Sequence, residues 1–287
     1  MQTLPAGGHV ARFIDQLFPG ADTGNFKGTL FVSADGSEES VTATVIQIGS
    51  RAGEFTTMPV VAVDPLPMTT ELYFAQFANG ADWTTSLFLT NPTGSASTGA
   101  LTFYDDEGNP LSMSVNGQSS ASVNSAMQAQ GGVFIPTDGD GALVSGSARV
   151  TSDNGIGGVL RFASPALGMA GVGASEAVDG FIAPVSRNAE GNFSTGVAVA
   201  SIGSPVTLRV TLRNEKGEAV AGGQVTLELR ANGHFARFVE QLFPEADTKD
   251  FHGTITVSAE GGKIAGTAIQ IGGRAGQFTT LPVTELR

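Results

Sequence analysis

The sequence contains no cysteine, which excludes disulfides and thiolate-ligated metals. That absence does not fix a compartment, although it is compatible with bacterial export. Positive charge is scarce: 15 Lys and Arg stand against 27 Asp and Glu, a net charge of −12. With no basic cluster, the chain has no means of neutralising phosphates, which argues against nucleic acid and against anionic membrane surfaces. No apolar run approaches the ~18 residues of a membrane-spanning helix, so no membrane insertion is expected. The opening MQTLPAGGHV lacks a charged n-region and an apolar h-region, so no signal peptide is expected within this chain. Histidine is limited to three residues. The nucleophile elbow G-x-S-x-G, the P-loop and the dinucleotide G-x-G-x-x-G are all missing. No set of catalytic groups stands out, and the chain reads as non-enzymatic with no cofactor.

What is present is glycine (39 residues), Ser and Thr, and 41% hydrophobic residues, the composition of a β-protein with many tight turns. One stretch occurs twice. Residues 8–36 and 233–261 are identical at 19 of 29 positions, and after a two-residue deletion 46–59 matches 269–282 at 11 of 14. A repeat fixes the architecture before any fold is assigned.

In the C-terminal copy, TGVAVA (195–200) and VTLRVTLR (206–213) alternate with period 2, as half-buried strands do. NEKGE (214–218) is a turn, and VTLEL (225–229) returns as a strand. HFARFVEQLF (234–243) places Phe235, Phe238, Val239 and Leu242 at helical spacing, which predicts a short amphipathic helix stopped by Pro244. Residues 251–258, 263–271 and 278–283 read as the closing strands. The middle of the chain is a diverged third copy: 84–111 aligns with 194–220 and 141–162 with 251–272, with no helix recognisable between them.

These readings give an all-β chain of tandem immunoglobulin-like antiparallel sandwiches, with a short crossover helix in units 1 and 3. Unit 1 (1–61) carries only the back half. Unit 2 spans 62–175 with its joins, one of them stiffened by Pro65 and Pro67, and unit 3 spans 176–287. A sandwich without its front hairpin exposes an apolar face and open strand edges. Either the chain is a segment of a longer repeat array cut inside a unit, or a neighbouring molecule completes unit 1 by strand addition, with head-to-tail growth into an oligomer or filament.

The motifs TTSLFLTNPT, LTFYDDEGNPL, NGHFARFVEQLFP, FHGTITVSAEGG and GQFTTLPV resemble tandem immunoglobulin-like β-sandwich repeats of large secreted or surface proteins of bacteria. The resemblance covers nearly the whole chain. It implies an extracellular or cell-surface location and a stalk, fibre or adhesive role, and it carries no catalytic residues. The expected function is a structural building block. The alternatives are a module that binds a glycan or protein surface, and an accessory arm of a larger enzyme.

Few polar groups suggest chemistry. Asp105, Asp106, Glu107 and Asn109, with Asp138 and Asp140, offer hard oxygen ligands for Ca²⁺, but no EF-hand spacing joins them, and solvated hairpin turns explain them better. Arg12 and Arg237 recur in the two helices, Asp22 and Asp247 just after them, and Arg51 and Arg274 after the IQIG strands. An Arg–Asp tie fixing helix to sandwich is the structural reading, and a ligand-binding Arg the functional one. Phe13 and Leu17, with their copies Phe238 and Leu242, are read as core. His9 and His234 share one repeat position and read as a cap or core edge; His252, opposite Lys27, reads as surface. Trp83 and Tyr104 suit either a sugar-binding face or core packing.

Overall fold

The computed structural model describes residues 4–34, 41–50, 54–62, 69–274 and 277–286. Arg51 and the Pro65/Pro67 join lie outside them. Residues 4–62 hold one helical turn, α1 (Ile14–Leu17), and a hairpin of β1 (Val45–Ile48) and β2 (Phe55–Met58).

Ten strands follow: β3 (Glu71–Asn79), β4 (Thr84–Thr90), β5 (Ser97–Tyr104), β6 (Met113–Val115), β7 (Gln118–Ser120), β8 (Ser122–Met127), β9 (Gly132–Pro136), β10 (Val144–Ser152), β11 (Gly157–Ser164) and β12 (Gly168–Gly173). Eight of them form two antiparallel sheets, ordered β3-β10-β5-β8 and β12-β11-β4-β9. Alternate residues of both sheets meet in one core: Phe74, Leu101 and Val150 from the first, Leu87, Leu160 and Val172 from the second.

The last region repeats this plan. Its elements are β13 (Gly180–Asn188), β14 (Ser194–Ile202), β15 (Val206–Asn214), β16 (Ala219–Leu229), β17 (His234–Phe238), α2 (Val239–Leu242), β18 (Asp250–Glu260), β19 (Lys263–Ile271), β20 (Phe278–Leu281) and β21 (Thr284–Glu285). The sheets run β16-β15-β18-β13-β21 and β17-β14-β19-β20. Strand for strand this is the order of the middle region, with β21 added at one edge. The weak sequence match of the middle copy thus corresponds to a shared topology.

The ten-residue helix expected over 234–243 is corrected. Residues 234–238 are strand β17, paired antiparallel with β14 from Gly196↔Phe238 to Ala200↔His234, and only Val239–Leu242 turn helical. A short helix is costly to nucleate, whereas β14 is a buried strand that needs partners on both sides. Pairing therefore overrides the helical period. Unit 1 shows what happens without that partner: the same motif at 9–13 forms no strand, yet the helical turn persists at Ile14–Leu17. The turn is locally encoded, because Gln16 Oε1 accepts from Phe13 N at 3.0 Å and Gln241 Oε1 from Phe238 N at 2.8 Å.

The regions are joined by side chains. Phe278 of β20 enters the core of the middle sandwich, with ring centroids 5.7 Å from Trp83 and 5.2 Å from Phe162. His234 is buried at the same joint. Its Nδ1 lies 2.8 Å from Asp106 Oδ1 and its Nε2 3.0 Å from Gln76 Oε1, and its backbone N–H donates to Asp106 O at 3.0 Å. Gln76 is oriented by its own Nε2, which donates to Phe77 O at 2.8 Å. Gly108 (φ +86°) lets the 105–109 turn lie against 231–233, where a Cβ would run into the Ala231 carbonyl.

Candidate assembly interface

Residues 26–32 form no strand in unit 1, but Lys27 and Thr29 approach the middle sandwich. Lys27 Nζ sits 4.4 Å from the Phe134 ring centroid, and a Cβ on Gly132 would lie 2.8 Å from Thr29 Oγ1. Behind them Phe134 and Phe88 stack at 4.7 Å, with Arg161 over Phe88 at 5.6 Å. Burial pushes the Arg161 guanidinium below its ordinary value, and the charge of Glu54 opposes that shift. Further along, Gly171 N donates to Thr56 Oγ1 at 3.1 Å, while Thr280 Oγ1 donates to Gly171 O. One glycine of β12 therefore ties unit 1 and the C-terminal region to the middle sandwich.

The row of apolar residues whose copies face the C-terminal core is uncovered in unit 1, and Phe31 beside it is exposed too, at 43%. Exposure is 51% at Phe26, 44% at Leu30 and 55% at Val32, against 7% at Phe251, 1% at Ile255 and 0% at Val257, their copies. The helical turn repeats the contrast: Leu17 is 39% and Phe18 47% exposed, against 4% at Leu242 and 1% at Phe243. Phe13, Val10, Val41, Val45 and Phe55 are exposed as well. The core role expected for Leu242 is met. Phe13 and Leu17 do not fill a core, and Phe238 is only half-buried. In the C-terminal region β13 to β16 supply the cover, and no described residue of unit 1 corresponds to them. Each large side chain left exposed forgoes about 1.5–3 kcal/mol of burial, so the row as a whole forgoes on the order of ten kcal/mol or more. Soluble monomers rarely leave contiguous apolar patches beyond a few hundred Å².

The polar candidates are held by the fold itself. Asn109 donates to Asp105 through its backbone N at 2.7 Å and its Nδ2 at 3.2 Å. Asp106 serves His234, and Glu107 projects from the turn as an exposed residue. Asp138 accepts from Ser114 Oγ, Gly117 N and Asn116 N, which holds its carboxyl below the usual range. Asp140 is exposed nearby. Among the described residues no group of three or more His, Asp or Glu is placed to hold a metal ion.

The expected Arg–Asp tie of the helix is corrected. Among the described residues the helix is pinned through Glu240, which pairs with Arg187 at 3.1 Å and accepts from Ser194 Oγ at 2.7 Å. Arg12, Arg237 and Asp247 are exposed, and Asp22 accepts instead from Gly24 N at 3.2 Å. A helix turn that lies on β14 is steadied by a partner from β13 and β14, a pairing invisible in the linear spacing. Trp83 is a packing residue at the joint with Phe278. Tyr104 is half-buried on the outer side of β5. His252 lies 3.2 Å from Ser186 Oγ at the surface.

Sequence reasoning missed Gln76, Gly171 and Phe278 as joint residues, and Glu240 as the anchor of the turn. The exchange of Phe278 between two sandwiches leaves no local signal. The recurrence of His234 and Phe278 as His9 and Phe55 was the one available sign. Searches among protein families, characterised proteins and solved structures find no match to this chain.

Proposed function

We propose that the protein is a non-catalytic structural building block, an extracellular or cell-surface repeat of immunoglobulin-like sandwiches that contributes to a fibre, filament, stalk or adhesin. It joins to its neighbours by completion of unit 1. The observation that carries this reading is the presence of two copies of one repeat within the chain, one covered and one open: Val257 is 0% exposed and its copy Val32 55%. Function here is reach and connection, with the sandwiches acting as rigid spacers.

The test is size-exclusion chromatography with light scattering across a concentration series. With no completing segment supplied, the open face of one chain can bury only against other chains. The full chain therefore self-associates as concentration rises, and a variant with Leu30→Asp and Val32→Asp stays monomeric at the same concentrations. A wild-type chain that remains monomeric throughout would count against assembly through unit 1. A glycan-binding role for the same module calls for exposed aromatic platforms, and the only Trp is committed to the joint with Phe278.

A further inference from the structure

Unit 1 and residues 233–286 are two copies of one acceptor, and the structure contains the cover of only the second. That cover is a single stretch, β13 to β16. Strand β14 lies between β17 and β19, and β18 lies between β13 and β15. We propose that the open face of residues 9–34 and 41–48 is a docking site for a four-stranded polypeptide segment with the pattern of residues 180–229. This rests on the reading of unit 1 as an assembly interface and names its occupant.

The register follows from the repeat. The donor position equivalent to Gly196 stands opposite Phe13, because Gly196 pairs with Phe238, and the position equivalent to Ala200 stands opposite His9. The same donor strand reaches Ile48 on its other edge, as Ser194 reaches Ile271. Strands equivalent to β13 and β15 flank residues 25–34, with the Phe181 and Val210 positions both opposite Val32. Main-chain ladders on three strands and an alternating apolar row make this strand addition, here of a half-domain rather than one strand.

The occupant is not an intact second copy. A second copy's donor is already sealed in its own core, where Leu208, Val210 and Leu212 are at most 1% exposed. The matching occupant is a segment of this pattern that is not already closed on a back half.

The experiment adds a polypeptide of residues 176–229 as probe to the full-length chain. Sedimentation and light scattering should show a one-to-one complex and dissolution of any self-associated species. Hydrogen exchange should show new protection of the amides of 9–13 and 26–33. Two changes should each weaken binding by at least about tenfold: Leu30→Asp in the chain, and Val210→Asp in the probe. The second leaves the chain untouched, so it remains informative if the first variant misfolds. No complex, or a complex indifferent to both substitutions, overturns the proposal. Self-association that persists unchanged in the presence of the probe overturns the named occupant while leaving assembly through unit 1 standing. A one-to-one complex from a chain that never self-associates upholds the docking site and removes self-assembly.

Discussion

Gly171 is the residue on which the three regions converge. A Cβ there would stand 2.6 Å from Thr57 O and 2.9 Å from Met58 Sδ, and backbone cannot yield as a side-chain tip can. Gly171→Ala should therefore cost about 1–3 kcal/mol, measured by denaturant titration, and should loosen β2 in hydrogen exchange before the sandwiches open. Charged residues set the pH limits. Hydrogen bonds to Asp153 from Thr98 and Ser97, to Asp138 from Ser114 and Gly117, and to Glu71 from Tyr73 and Arg149 hold these carboxyls below their ordinary values. The stability they contribute is present above the unfolded value near 4 and is lost as pH falls through it toward their lower folded values. The thermal midpoint should fall between about pH 5 and 3, and Asp153→Asn should flatten part of that fall. At the other limit, burial and Glu71 push the Tyr73 phenol up to about 12, so its contribution is whole below about pH 10 and lost as pH rises further.

At the scale of elements the chain performs its own control, because one motif is placed in two environments. Phe243→Ala should cost about 3–5 kcal/mol, the usual range for a buried aromatic. Phe18→Ala at the matching position should stay within about 0.5 kcal/mol, as exposed substitutions do. Thermal unfolding of the two variants checks both, and equal effects would show that unit 1 is covered in solution. The motif also shows which part of an element is local. The turn at Ile14–Leu17 and at Val239–Leu242 forms in both copies because a glutamine three residues on caps it. The strand at 234–238 forms only where β14 lies beside it. The helical spacing of Phe235, Phe238, Val239 and Leu242 was therefore a correct reading of 239–242 and a misreading of 234–238 and Phe243.

The molecule as a whole is tied at its joints. Phe278 belongs by sequence to the last sandwich and by packing to the middle one, so the two should unfold together. Phe278→Ala should split that transition in two and shift the emission of Trp83, the only tryptophan, toward longer wavelength as the ring loses its neighbour at 5.7 Å. A single unshifted transition would show that the joint is not coupling. Period-2 alternation, the Gly-bearing turns and the internal repeat were legible in the linear order, because they depend on neighbours a few residues away or on identity at a fixed offset. They were enough for an all-β chain and for most strand positions in the C-terminal region. The pairing of His234 with Gln76 and Asp106, the anchoring of Glu240 by Arg187, the loss of the longer helix and the sharing of Phe278 needed the folded chain. Each depends on residues tens to more than a hundred positions apart, and their energy arises only when sheets stack and exclude water.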